Sequence, residues 1–335
     1  MAIIGIESLI WGVDDVAESA RFFDDFGLVR DDVEEDGTAR FTLPEGSHVV
    51  FRHLNDPALP PSAIKGNGVR EVVWGVSDQA SVDKLAAGLA TDREVRRDPD
   101  GTAHFIADFG VGMALRVFDK KAVVTAPDPL NSPGRINRLN QHRKWRLRAR
   151  PKVIAHVVFA IPEYEAGYAF MRDRLNFRLS DSQRGFGKYL RADGTSSHHT
   201  LLLLNASAPV PGMDGTLQFH HANFGVEDID EIMVGANHMT RRGWQASHQG
   251  LGRHRIDSAL FYYIPCPAGG EAEYGADADA VDDGWVPRHW TNPLFGYAHF
   301  VSNLPPFLLD EPDWKFEYIT EGDAPLDADQ PMEHH

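Results

Sequence analysis

The sequence predicts an α+β chain built from four repeated βαβββ modules that pair into two domains. Three observations predict it. Four segments share one pattern: they begin at Ser8, Glu71, His156 and His221, are apolar through the middle, and end in acid at Asp15, Asp78, Glu163 and Asp228. A helical spacing of apolar residues follows each segment. Short strand-like runs separated by turn residues then follow, so that each unit spans some 50 to 60 residues.

In the first module the strand from Ser8 leads to a helix from Val16 to Phe26, with Phe22, Phe23 and Phe26 on its apolar face and Gly27 as its stop. Strands follow at 39–43 and 48–51. The second module starts at Glu71 and ends in strands at 103–106 and 113–117. The third starts at His156, with a helix over 165–175 that carries Tyr168, Phe170, Met171 and Leu175. The fourth starts at His221 and ends in a strand at 267–274. The acidic end of each leading segment supplies helix-start chemistry. These modules place the first domain at 1–120 and the second at 151–283. The linker at 121–150 holds Pro127, Pro129 and Pro133, then the cations Arg143, Lys144, Arg146, Arg148 and Arg150. An anion site is one reading of those cations. A strap lying on acidic domain surfaces is the other, favoured by the charge balance. The tail at 284–335 is rich in aromatics, expected to pack on the body or a neighbouring subunit rather than to form a lid, and its acidic stretch at 321–329 reads as a solvated end.

The 335 residues hold 33 Lys and Arg against 49 Asp and Glu, a net charge of −16. That balance argues against nucleic acid or an anionic membrane as partner. No run approaches the roughly 20 apolar residues of a membrane span, and the start of the chain lacks the basic and apolar regions of a signal peptide. Cys266 is the single cysteine, so no intrachain disulfide and no cysteine-based zinc site can form. A soluble, cytoplasmic protein is expected. His334 and His335 resemble the remnant of an affinity tag and are set aside.

Aligned, the four segments place Ser8, Glu71, His156 and His221 in one column. Their apolar flanks persist while this position alternates between inert and metal-binding types. The column also selects His221 over His220. Equivalent strands facing each other across a cavity would bring His156 and His221 together. A third ligand is expected from the last strand of the fourth module, where Glu271 and Glu273 lie on one face. Matching 267–274 to 109–116 sets Glu273 against Leu115. Two imidazoles and one carboxylate with open positions suit Fe(II) and O2 chemistry, and Mn(II) can use the same set. A single histidine among the 16 present is more often a surface or core residue. Two at equivalent repeat positions weaken that reading. An ion with adjacent open sites can chelate two neighbouring oxygens of one ligand and lower their pKa.

Four segments then carry a family resemblance: Gly250-Leu251-Gly252-Arg253-His254; Phe261-Tyr262-Tyr263; Pro267 through Tyr274; and Ser197-His198-His199-Thr200-Leu201. Tyr263 lies nine residues past His254, and Glu273 ten past Tyr263. In these motifs, and in repeat pattern over about residues 3–280, the chain resembles the type I extradiol catechol dioxygenases of the vicinal oxygen chelate superfamily. The resemblance implies extradiol (meta) cleavage of a catechol-type aromatic diol with O2, in aromatic compound catabolism. It implies His156, His221 and Glu273 as iron ligands, with His199 beside the O2 position. His254 and Tyr263 would hydrogen-bond the diol. Asp257 would lie in the substrate environment, orienting His254 or only forming the turn. Tyr263 as a plain core residue is the blander alternative. His198 is expected to point outward from the His199 strand. The first domain, with Ser8 and Glu71 in the ligand column, would be a metal-free duplicate, and the family expectation is a homo-oligomer. Two departures stand out: the long loop at 205–215, expected at the pocket mouth, and Arg255-Ile256-Asp257 where several relatives carry Asn before Asp. Rival readings are a glyoxalase I-type isomerase, a 2-oxo-acid oxygenase such as hydroxyphenylpyruvate dioxygenase, and a binding protein of the bleomycin-resistance type.

Overall fold

The computed structural model describes residues 2–31, 37–209, 211–291, 297–309 and 315–320. The acidic stretch at 321–329 lies outside the described residues, as does the 292–296 part of the aromatic tail. The first two modules run β1 (Ile3–Val13), α1 (Val16–Phe26), β2 (Val29–Arg30), β3 (Thr38–Thr42), β4 (His48–His53), β5 (Gly68–Val76), α2 (Gln79–Leu89), β6 (Arg96–Arg97), β7 (Ala103–Ile106) and β8 (Gly112–Val117). The second pair repeats them: β9 (Val153–Ile161), α3 (Tyr164–Leu175), β10 (Arg178–Gln183), β11 (Gly187–Arg191), β12 (Leu201–Asn205), β13 (Gln218–Gly225), α4 (Ile229–Arg241), β14 (Gly252–Arg253), β15 (Leu260–Pro265) and β16 (Glu271–Ala276). The fourfold βαβββ order predicted from the repeats is the fold.

Local chemistry explains the turns from strand to helix. Asp15 accepts from the Glu18 amide at 2.8 Å, Asp78 from Ser81 at 2.7 Å and Asp228 from Glu231 at 2.9 Å. Each satisfies an amide that the first helical turn leaves unpaired. Glu163 makes no such bond. Helix α1 ends at Gly27, whose φ of 112° is left-handed. A Cβ there would also lie 2.2 Å from the Ala149 carbonyl oxygen, so both backbone and space require glycine.

In each half the two leading strands pair antiparallel at the centre of the sheet, and each module's remaining strands extend outward. The orders are β2-β3-β4-β1-β5-β8-β7-β6 and, within the larger sheet, β10-β11-β12-β9-β13-β16-β15-β14. The registers repeat as well: Ser8 pairs with Val73 as His156 pairs with Asn223, and Ile10 with Glu71 as Val158 with His221. The match predicted for the last strand is off by one. Asn223 pairs with Glu273 while Val73 pairs with Ala114, so the counterpart of Glu273 is Ala114, not Leu115. A hairpin turn matched by eye carries no register, and the ladder does.

One hydrophobic core runs through both halves. Trp11 meets Phe219 edge-on at 5.6 Å, and Phe26 stacks on Tyr274 at 4.0 Å, with the Tyr274 hydroxyl donating to the Phe26 carbonyl at 2.6 Å. Tyr274 is the neighbour of Glu273 in β16, so the first half anchors a strand of the site from behind. The cations of the linker pair with acids around α4: Lys144 with Glu227 at 2.8 Å, Arg146 with Glu227 at 3.0 Å, Arg143 with Asp228 and Asp230, and Lys152, just beyond the run, with Glu231 at 3.1 Å. They are used on the protein's own surface. The tail does more than pack. Its strands β17 (Arg288–Trp290), β18 (Phe300–Val301) and β19 (Phe316–Tyr318) extend both edges of the second sheet, β17 beside β10 and β18 beside β14.

Candidate metal centre and substrate pocket

The column residues of the second half do not face each other across a cavity. His156 and His221 stand on adjacent strands of one sheet, two residues apart in register and on the same face. That diagonal, with Glu273 on the next strand β16, gathers three side chains over one point. His156 Nε2 lies 3.2 Å from His221 Nε2 and 3.2 Å from Glu273 Oε2, and His221 Nε2 lies 3.3 Å from the same oxygen. An ion about 2.1 Å from each ligand atom needs them roughly 3.0–3.4 Å apart. All three residues are buried, and Glu273 is fully so. A bulge between Phe219 and His221 turns His220 aside, and the Nδ1 atoms of His220 and His221 lie 2.7 Å apart, which leaves Nε2 of His221 to the centre.

Neither carboxylate oxygen of Glu273 has a hydrogen-bond partner, although both are buried. A buried carboxylate without partners costs several kcal/mol. Such a group is rare in a native fold unless a cation completes it. The donor set therefore fits a divalent metal of the non-haem iron type. Burial alone would raise the Glu273 pKa, but His156, His254 and His221 beside it hold it well below the usual carboxylate range. Glu271 lies opposite His221 and lines the cavity. Burial, with Glu273 adding to it, raises its carboxyl to about 7.

Burial holds the imidazoles of His199, His220 and His221 below their usual 6.5, His220 at about 4. His254 moves the other way: burial opposes its charge, but Glu273 and Asp257 raise it overall. Below pH 6.5 the three lowered imidazoles leave the unfolded state with more protons at this site, and Glu271, raised to about 7, offsets only one of them; the raised His254 acts above 6.5. Stability of the chelator-treated protein is therefore expected to fall as pH drops from about 6.5 toward about 4. A melting temperature that stays level across that window would contradict the burial of these rings.

His199 stacks on His156 with ring centroids 4.3 Å apart and lines the cavity. It does not sit in a strand, as β12 begins at Leu201. His198 does point away from the metal centre, but not to solvent: it is 1% exposed, with Nε2 3.1 Å from Asp181. Asp257, expected near His254, has its carboxylate 3.7 Å from His199 Nδ1 and accepts the Ala259 amide. It is 2% exposed and does not line the cavity. Its proposed contact with substrate is replaced by a place behind His199.

His254 follows β14, where a Cβ on Gly252 would lie 2.2 Å from the Phe261 ring. The glycine lets that ring lie under the loop, and the His254 ring stacks on it at 4.1 Å. His254 Nδ1 donates to the Tyr297 carbonyl at 2.5 Å, so its Nε2 accepts from the Tyr263 hydroxyl at 3.1 Å. Tyr262 packs into the core while Tyr263 lines the cavity, as alternation along β15 dictates. The cavity is about 520 Å³. Phe186, Leu202, Leu204 and Ile256 form an apolar wall, and Met213 from the long loop closes one side. Tyr297, Pro305 and Pro306 of the tail close another. Asp181 and Arg288 were not found from the sequence; both lie outside the repeat column and the motifs, and the β10–β17 pairing brings them together. Tyr297 is one of the tail aromatics, and its carbonyl contact with His254 is what the sequence did not show.

No family model matches the chain. Over 137 residues it is 34% identical to metapyrocatechase 2 of Cupriavidus necator, covering 41% of this chain and 40% of that protein. Over 166 residues it is 32% identical to an iron-dependent extradiol dioxygenase of Rhodococcus jostii, covering 45% and 53%. The chain thus spans about half the length of the curated relatives it matches. In structure it is similar to the Mn(II)-bound glyoxalase of Novosphingobium aromaticivorans, with a TM-score of 0.69, 21% identity, and coverage of 93% of this chain and 95% of that one. It is similar also to a halotolerant catechol dioxygenase, with a TM-score of 0.68, 19% identity, and coverage of 92% and 97%. These neighbours share the vicinal oxygen chelate fold.

Proposed function

We propose that this chain, whose matched sequence relatives are extradiol dioxygenases, uses O2 to cleave a catechol-type diol beside its hydroxyl pair, on iron(II) held by His156, His221 and Glu273. One observation carries the reading: three ligand atoms converge within 3.3 Å of one another, and the carboxylate among them is buried without a hydrogen-bond partner. When bound, the ion would chelate the diol, acidify its hydroxyls and hold both reactants at one centre. Mn(II) suits the same ligands.

The chain's own residues then do three things. His199, an imidazole kept neutral by burial, takes a proton from the diol and later returns one. Tyr263 and His254 orient the diolate, and the Tyr297 carbonyl fixes the His254 ring. The apolar wall excludes water from a site of this charge. The same wall narrows the substrate. No Arg or Lys lines the cavity among the described residues, and Glu271 does. A catechol bearing an apolar, uncharged substituent fits, and a carboxylated one meets no counter-charge.

The test is anaerobic Fe(II) loading, then a spectrophotometric screen of alkyl-, aryl- and carboxyl-substituted catechols with O2. Yellow ring-opened products, with the carboxylated members slowest by tenfold or more, are expected. Bound iron with neither colour nor O2 uptake across the panel would defeat the reading.

No helix among the described residues is long and apolar enough to cross a membrane. We place the protein in the cytoplasm, since ferrous iron suits a reducing compartment and the single cysteine, Cys266, is half-buried, with its thiol pushed up to about 12. We also infer a homo-oligomer. Trp145 and Leu147 on the linker are each 89% exposed, while the cations between and beside them turn inward to pair. An uncharged outward strip of this kind matches itself in a second copy. Light scattering is expected to show an oligomer that Trp145→Ser with Leu147→Ser weakens; a monomer at micromolar concentration would refute the assembly.

A further inference from the structure

We propose that Arg288, Asp181 and His198 form a hydrogen-bonded chain that fixes the tautomer of His199, keeping its proton on Nδ1 and leaving Nε2 as a bare lone pair for the cavity. The inference adds positioning residues to the ring-cleavage reading and rests on it for their purpose.

The chain is read from a fixed end. Asp181 is fully buried in β10, and Arg288 lies beside it in β17. The Arg288 amide donates to Oδ1 at 2.7 Å, Nε lies 3.1 Å from both oxygens, and Nη2 donates to Oδ2 at 2.5 Å. The guanidinium fork and the main chain together leave the carboxylate one orientation. An ionised carboxylate only accepts. His198 Nε2, 3.1 Å from Oδ2, must therefore be the donor. One guanidinium balances one carboxylate, so His198 enters as a neutral imidazole, and its Nδ1 can only accept. That atom is 3.2 Å from His199 Nδ1, which must then donate. The Asp257 carboxylate, 3.7 Å from the same nitrogen, is beyond hydrogen-bond reach but favours a proton there. Each assignment forces the next, and the last leaves His199 Nε2 unprotonated.

Both ends of the chain come from remote sequence. His199 has to meet the substrate as a proton acceptor, and an imidazole alone divides between two tautomers. Two buried groups, Asp181 and His198, and the half-buried Arg288 from the tail remove that choice before substrate arrives. The same logic holds the imidazole of a serine-protease triad through its aspartate.

Asp181→Asn is the test. The amide has the same shape, but the Arg288 amide and Nε both donate at the Oδ1 place, so the amide oxygen settles there; its NH2 takes the Oδ2 place, facing His198 Nε2 and displacing Arg288 Nη2. His198 must then accept at Nε2 and donate from Nδ1, and His199 must carry its proton on Nε2. Long-range proton–nitrogen spectra of the zinc-loaded, histidine-labelled full chain read the tautomers without substrate, so this result stands whether or not catechols are cleaved. The wild type is expected to show Nδ1–H at His199, and Asp181→Asn to show Nε2–H. In the iron-loaded variant kcat is expected to fall about a hundredfold or more with metal content and the KM for catechol little changed. If that variant does not fold, His198→Leu removes the acceptor and is expected to give a mixture of His199 tautomers. A His199 that keeps the wild-type tautomer in either variant, or one that carries Nε2–H in the wild type, overturns the proposal.

Discussion

Glu273→Ala is expected to strip the protein of iron and to abolish ring cleavage. The two halves of that result come from one fact. In the metal-free protein the Glu273 carboxylate is fully buried and neither of its oxygens is hydrogen-bonded. Its neighbours are the imidazole nitrogens at 3.2 and 3.3 Å, which aim at the same point rather than at the oxygen. A cation completes such a carboxylate, and a ligand that binds only the native state stabilises it by mass action. Removal of the carboxylate forfeits that gain, so the rise in melting temperature on adding Fe(II) is expected to vanish. Glu271→Ala is the control, because Glu271 lies on the same face and the sequence alone left both acids open. It is expected to keep its iron. Stoichiometric iron in Glu273→Ala, or its loss in Glu271→Ala, would reassign the ligand.

The reach of the sequence can be judged residue by residue. The repeat column was legible because a strand buried on both faces keeps apolar flanks, so one changing position stands out. Asp15, Asp78 and Asp228 were legible as helix starts because capping is a local bargain within four residues. The diagonal placement of His156 and His221 was not legible. It depends on two bulges in the β9–β13 pairing, and bulges belong to a ladder, not to a segment. Asp257 was left open between orienting His254 and only forming the turn, and the structure gives the turn: its carboxylate accepts the Ala259 amide and lies 3.7 Å from His199 Nδ1. Arg288 shows the limit most clearly. Nothing in the tail marks it as part of the site; it arrives because β17 adds to the sheet edge beside Asp181, 107 residues away in sequence.

His199→Ala carries the second large effect, and it separates chemistry from metal binding. The ring is not among the three converging ligands; it lies against His156 as a stacked neighbour and against Tyr189 edge-on. Iron content is therefore expected to stay near one per chain. Turnover is expected to fall by a factor of about 10² to 10⁴, the usual worth of a placed general acid–base group. The KM for catechol is expected to move much less, because chelation and the Tyr263–His254 pair hold the diol. His199→Gln is the sharper variant. It restores a polar group of similar reach, but an amide cannot take a proton at neutral pH, so it should not rescue kcat. If it does, His199 acts only by hydrogen bonding and the proton must go elsewhere. The nearby imidazole of His254 is poorly suited to that task, since its Nδ1 proton is committed to the Tyr297 carbonyl and its Nε2 to the Tyr263 hydroxyl. An unchanged rate in both variants would remove His199 from the mechanism.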